Sequence, residues 1–261
     1  MNRSYIIILP VYNSYQNLQN IIDEIQKAKL LLKKIIIIDN NSNLPLNTKL
    51  EIIKINREKN KIKIDLVINK KNYGIGGSQK IIFNLLKNEK FDYLINLQTS
   101  GRFSVKEILT SIQRKDLMNL DYIIFSRFLK SGSAKNYNFL RKIGNLFFSF
   151  FTKIFTNCKI SDPGMAINVI RFQLFQKIKA NNKILNLTND SHFPHLFNII
   201  IFENKFLFKE QSINWGQGNV KSHLTGIPIP YAVNLLFYLL SYLIFRRFKP
   251  IKKNNFKYTI Y

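Results

Sequence analysis

The sequence predicts an α/β fold: a mostly parallel sheet with helices on both faces, followed by an apolar C-terminal helix. Two runs of strand length, residues 5–9 and 35–38, are apolar throughout. Between them Leu18, Ile21, Ile22 and Ile25 recur at helical spacing. Strand, helix and strand in that order, with strands that do not alternate, belong to a parallel sheet buried on both sides. A chain of 261 residues with no Pro/Gly/Ser-rich linker and no internal repeat can bury such a core as one unit. The expected division is a domain over residues 1–222 and an apolar, basic helix and tail over 223–261.

Each element ends on a residue that matters. Pro10 stops the first strand, and Val11, Tyr12 and Asn13 follow it; the second ends at Asp39-Asn40-Asn41-Ser42. In open parallel sheets ligands collect at the carboxyl ends of strands, which is where Asn13 and Asp39 fall. The glycine run Asn72-Tyr73-Gly74-Ile75-Gly76-Gly77 has neither the Gly-Lys-Ser/Thr of a Walker loop nor the third glycine of a dinucleotide fingerprint. Its glycines suit close helix packing. An apolar strand from Phe91 runs into the polar turn Gln98-Thr99-Ser100-Gly101-Arg102, and a strand over 122–125 runs into Ser126-Arg127-Phe128.

Taken in order, Pro10-Val11-Tyr12-Asn13, Ile38-Asp39-Asn40-Asn41-Ser42, the glycine run, Ser126-Arg127-Phe128 and Ile160-Ser161-Asp162-Pro163 resemble glycosyltransferase family 2. The resemblance covers roughly residues 4 to 220 and is nearest the branch of dolichyl-phosphate mannose synthase and other polyprenyl-phosphate sugar transferases. It implies a GT-A fold and transfer of a sugar from a UDP- or GDP-linked donor to a lipid-phosphate or cell-envelope glycan acceptor, with inversion. It places Asp39 on the nucleotide base, with Pro10, Tyr12 and Asn13 shaping the same pocket, although Asp-Asn-Asn-Ser also suits a turn or helix cap. Arg127 and Arg141 match two arginines used on the acceptor phosphate, and Asp162 matches an acid near the reaction centre. The usual Ser/Thr-Gly-Phe-Arg/Lys after that acid is replaced by Gly164-Met165-Ala166-Ile167-Asn168.

One departure changes the expected chemistry. Where the family carries the Asp-x-Asp pair for Mg²⁺ or Mn²⁺, this chain has Gln98 and Ser100. An amide and a hydroxyl offer oxygens without the charge that retains a hard dication. No resident metal is therefore expected. Arg102, permanently cationic and bidentate toward phosphate, is a candidate replacement that would stabilise the departing diphosphate; the competing reading is a surface arginine in a degenerate site. That second reading makes the chain a glycosyltransferase-like binding module.

The formal charge of +25 invites a polyanionic partner. Of the 40 basic residues most are lysine, in a sequence crowded with Ile, Asn, Phe and Tyr, so compositional drift explains much of it. No nucleic-acid-binding signature accompanies the charge, and no nucleic-acid partner is expected. Cys158 stands alone, which excludes an intramolecular disulfide and a cysteine-based zinc site and fits a reducing cytoplasm. His192 and His195 flank Pro194, which breaks the spacing of zinc-binding helices. Trp215 reads as packing against the sheet.

Residues 139–157 are rich in Phe with Arg141, Lys142 and Lys153 interspersed, as in an interfacial helix. Residues 231–245 form a second apolar run, followed by basic residues from Arg246 to Lys253. Fifteen helical residues reach about 22 Å, short of the roughly 30 Å hydrocarbon core. The expectation is a peripheral protein on the cytoplasmic membrane face, with no signal peptide.

Overall fold

The apolar runs pair as parallel strands because neither face can be given to water. In the computed structural model, which describes residues 3–117, 119–129, 133–134, 139–180, 182–216, 229–245, 248 and 255–261, β1 (Ser4–Val11) lies between β2 (Leu31–Asp39) and β4 (Tyr93–Asn96), parallel to both. Ile6, Ile7, Ile8 and Leu9 are all at most 1 % exposed. Each contributes about 1.5–3 kcal/mol by burial. β3 (Ile64–Asn69) extends the parallel set beyond β2.

On the other flank β7 (Asn168–Arg171) runs antiparallel to both β4 and β5 (Tyr122–Ser126), and β8 (Phe208–Ser212) is parallel to β5. At the far edge β10 (Tyr258–Ile260) is antiparallel to β3. The eight-stranded order is β10-β3-β2-β1-β4-β7-β5-β8. A two-stranded parallel sheet joins β6 (Ser133–Ala134) to β9 (Asn214–Trp215). Since six of the eight strands point the same way, the carboxyl ends of β1, β2, β3, β4 and β5 gather along one edge of the sheet.

The helices cover the faces. In α1 (Leu18–Lys27), Leu18, Ile21, Ile22 and Ile25 are buried, the four positions read from the spacing. α2 (Leu46–Asn60) follows β2. α3 (Gly74–Leu85) opens on the glycine run. A side chain at Gly76 would meet the Thr188 carbonyl and Phe193 Cβ at 2.6 Å, so only glycine lets α3 approach this closely. α4 (Val105–Ser111) is capped by Ser104, whose Oγ accepts from the Glu107 N–H.

The remaining helices are α5 (Phe139–Thr156), α6 (Phe172–Ala180), α7 (Asn182–Leu185), α8 (Phe193–Glu203) and α9 (Ile229–Phe245). α9 buries Leu235, Leu239 and Tyr242 and packs on α5. Among the described residues no helix is long and apolar enough to cross a membrane. The 222/223 boundary lies outside the described residues, as do Arg246, Arg247, Lys249, Lys252 and Lys253.

Candidate functional site

At the β1 and β2 ends, polar side chains are bound to one another. Asn13 adopts a left-handed backbone (φ 51°), its N–H donates to Ser42 Oγ at 2.9 Å, and its Oδ1 accepts from the Asn43 N–H at 2.9 Å. Asp39 is 0 % exposed. Its Oδ1 accepts from the Ser42 N–H at 2.8 Å, and the ammonium of Lys49, from α2, lies 2.6 Å from Oδ2. Lys49 also donates to the Ser42 carbonyl at 2.9 Å. Burial, with the Asp39 charge beside it, pushes the Tyr15 phenol far above its usual range. Tyr12 is 42 % exposed, so this part of the pocket presents a ring to solvent while its carboxylate is sealed beneath.

Asparagines extend the seam. Asn40 Nδ2 donates to Asn72 Oδ1 (2.6 Å), and Asn40 Oδ1 accepts from Asn69 Nδ2 (3.0 Å) and the Tyr73 N–H (2.8 Å). Gln79 of α3 donates to Asn96 Oδ1 at 3.0 Å, and Asn96 donates to Asn168 Oδ1 at 2.7 Å. A small cleft follows this amide row, lined also by Pro10, Ile38 and Pro194.

The turn after β4 is pinned to the turn after β1. Thr99 Oγ1 lies 2.7 Å from the Pro10 carbonyl, to which it donates, and 2.7 Å from Ser14 Oγ; Asn17 Nδ2 donates to the Thr99 carbonyl at 2.8 Å. Gly101 takes a left-handed φ of 65°, a conformation that favours glycine. Gln98 and Ser100 flank the pinned threonine; among the described residues Ser100 Oγ is buried without a hydrogen-bond partner. The Arg102 carbonyl accepts from the Gly216 N–H at 2.7 Å, tying this turn to the strand end that carries Trp215.

Across the edge, the end of β5 meets the 160–167 segment. Arg127 makes a bidentate pair with Asp162: Nε to Oδ2 at 2.7 Å and Nη2 to Oδ1 at 2.8 Å, with the side chains 10 % and 1 % exposed. Its guanidinium lies 5.1 Å from the Phe128 ring centre and 5.5 Å from that of Trp215, which stacks on Phe103 at 5.7 Å. Ser126 and Ser161 hydroxyls are 2.6 Å apart, and Glu210 of β8 accepts from the Ser161 N–H and Oγ–H at 2.7 and 2.8 Å. Burial raises the Glu210 pKa against the lowering effect of those two bonds.

The structure thus joins Asp162 to Arg127 and places Asp39 with Lys49, while the Arg141 side chain lies outside the described residues. Sequence reasoning did not name Lys49 or Glu210. A lysine in a helix with no apolar stripe gives no sign that it is 5 % exposed.

His192 and His195 are structural neighbours of α9 and α5. His195 Nε2 lies 2.6 Å from Thr152 Oγ1 of α5, and burial drives its pKa down to about 3, so it stays neutral. His192 lies 2.8 Å from Asp190 Oδ1 and 2.9 Å from the Tyr231 carbonyl. Lys80, lowered to about 8 by burial, holds Asn189 Oδ1 at 2.7 Å. Among the described residues no three His, Cys, Asp or Glu side chains converge.

The donor set on this edge does not fit a hard dication. Asp39 and Asp162 are each matched by a cation, Thr99 Oγ1 is engaged, and Gln98 and Ser100 bring no charge.

The sequence profile of Glycosyl transferase family 2 matches residues 6–179. Comparison with curated proteins found no match. Among solved structures, glucosyl-3-phosphoglycerate synthase from Mycobacterium tuberculosis superposes in several forms. Its complex with Mn²⁺, UDP and glucosyl-3-phosphoglycerate gives a TM-score of 0.58 at 10 % identity, over 99 % of this chain and 87 % of that one. Its complex with Mn²⁺, UDP-glucose and glycerol 3-phosphate gives 0.59 at 10 % identity, over 94 % and 80 %. These likenesses establish the GT-A fold with its mostly parallel sheet.

Proposed function

Because the chain belongs to glycosyl transferase family 2, we propose that it transfers a hexose from a UDP- or GDP-sugar to an acceptor phosphate carried on a lipid, or to a cell-envelope glycan, without a resident metal. The observation that carries this reading is Arg127, a bidentate guanidinium set in an aromatic wall at the carboxyl edge. The fold neighbour is described in complex with Mn²⁺, UDP-glucose and glycerol 3-phosphate, a UDP-sugar beside a phosphate ester.

The donor seats over Pro10, Tyr12, Asn13 and Asp39, with Gln98 and Ser100 beside its diphosphate. Recognition of the base by Asp39 requires Lys49 to yield its contact. Arg102 stabilises the charge that develops on the leaving diphosphate, the part a dication plays elsewhere. Arg127 and Arg141 hold the acceptor phosphate; its oxygen is already ionised near neutral pH, so positioning replaces general-base catalysis. Asp162 orients the acceptor.

A lipid acceptor is supported by α5 and α9. On α5, Phe139, Phe147, Phe150 and Ile154 are more than half exposed, with Lys142 and Lys153 exposed among them; on α9, Phe237, Ile244 and Phe245 are as exposed. An apolar face rimmed by lysines fits an anionic bilayer surface. The second reading, a catalytically degenerate binding module, is favoured by Gln98, Ser100 and the sealed Asp39. Labelled UDP- and GDP-sugars incubated with polyprenyl phosphate in EDTA test the proposal. Transfer of label to lipid is expected; donor binding without transfer under any acceptor or metal condition favours the binding module.

A further inference from the structure

A second, independent observation stands beside the Arg127–Asp162 pair. Trp215 is 6 % exposed, and its indole Nε1 is buried with no hydrogen-bond partner among the described residues. An indole nitrogen is a donor only, and an unmet buried donor is costly enough that native proteins carry few of them. This one belongs to the ring that stacks on Phe103 and lies 5.5 Å from the Arg127 guanidinium. Its place is fixed by the backbone: the Ile213 N–H donates to the Ser126 carbonyl at 3.0 Å, and the Gly216 N–H to the Arg102 carbonyl. The donor is therefore held between the segments that carry Arg102 and Arg127.

Arg127 directs its fork at a carboxylate in the same chain, and the same fork fits a phosphate. We propose that Trp215 and Arg127 form an oxyanion subsite for the acceptor's phosphate, and that Asp162 occupies it as an internal placeholder until the acceptor arrives. The incoming phosphate takes the guanidinium from Asp162 and accepts the Trp215 Nε1–H. This rests on the reading of Arg127 as an acceptor-phosphate residue. The exchange trades one anion for another at the guanidinium, and the freed Asp162 carboxylate keeps the Arg127 backbone N–H that donates to its Oδ2 at 3.2 Å. Moving the guanidinium also uncovers the ring over which it sits. Asp162 is then released next to the bound acceptor, and no bond is made or broken in the exchange.

The chain contains one tryptophan, so its fluorescence reports Trp215 alone. The full chain is titrated with glycerol 3-phosphate and, in a second arm, with a short-chain prenyl phosphate, following emission and heat together. A saturable emission change at the concentrations where heat is released is expected, and the tighter arm identifies the source of the phosphate. Trp215→Phe keeps an aromatic ring against Phe103 and should bind about tenfold more weakly or worse, the loss of one hydrogen bond to a charged group. Asp162→Asn removes the competing charge and should bind more tightly, whereas a purely structural pair gives unchanged or weaker binding. Thermal melts confirm folding, and Trp215→Phe decides the matter if Asp162→Asn does not fold. Equal affinity in Trp215→Phe, silent emission at saturation, or no binding of either phosphate ester overturns the proposal. UDP- and GDP-sugar binding is measured in the same preparations. A chain that binds the donor and ignores both esters keeps the transferase reading and loses the subsite.

Discussion

The two flanks of the sheet edge each hold a buried carboxylate against a cation, and they do so differently. Asp39 is completed from nearby in the sequence: Ser42 three residues on and Lys49 on the next helix. Asp162 reaches across 35 residues to Arg127, inside an aromatic wall that also contains an unmet indole donor. On the Asp39 flank the partners are local, although the buried Tyr15 hydroxyl beside the carboxylate has no hydrogen-bond partner among the described residues. At Asp162 the pair is long-range, and the unmet donor belongs to the aromatic ring that faces the Arg127 guanidinium.

Breaking either pair should give the largest effect and expose that difference. Asp39→Ala and Asp162→Ala each leave a buried cation unmatched and should cost about 3–5 kcal/mol in denaturant unfolding. Phosphate esters should restore thermal stability to the Asp162 variant and leave the Asp39 variant unchanged.

A smaller effect separates the flanks by pH. His195, held neutral between α8 and α5, has its pKa lowered to about 3 by burial, against about 6.5 in an unfolded chain. The unfolded state therefore binds the proton first. Stability is fully present above pH 6.5 and is lost as pH falls from there toward 3, by up to about 1.4 kcal/mol per unit. His195→Gln should flatten that slope in unfolding measured between pH 7 and 5.

Glycines give the next contrast. Gly76→Ala, facing the Thr188 carbonyl oxygen at 2.6 Å in the segment before α8, should lose about 1–3 kcal/mol. Gly144→Ala in α5, with nothing within 4 Å, should gain up to about 1 kcal/mol. Thermal unfolding of the two variants should shift in opposite directions.

Legibility in the sequence follows the same division. β1, α1 and β2 were readable because apolar runs and helical spacing report burial directly, and the start of α3 came from the family resemblance of its glycine run. α2 was not, since its apolar residues form no stripe, with Lys49, Asn56 and Asn60 among its buried side chains. The antiparallel placement of β7, and the return of β10 to the edge beside β3, depend on long-range pairing that periodicity cannot register. At the site, the family resemblance marked Asp39, Arg127 and Asp162 as candidates, yet the partners that hold them come from other segments. That Gln98 and Ser100 bring no charge to the turn after β4 was visible at once, being a matter of composition. The unmet Trp215 donor was invisible, because only packing decides whether an indole finds an acceptor.

The most direct measurement is calorimetric binding of UDP- and GDP-sugars to the full chain, with Mn²⁺ or Mg²⁺ and again in EDTA. A metal-free transferase predicts binding that survives EDTA and weakens in Arg102→Ala. Binding that requires the metal, or no binding in any condition, would contradict it.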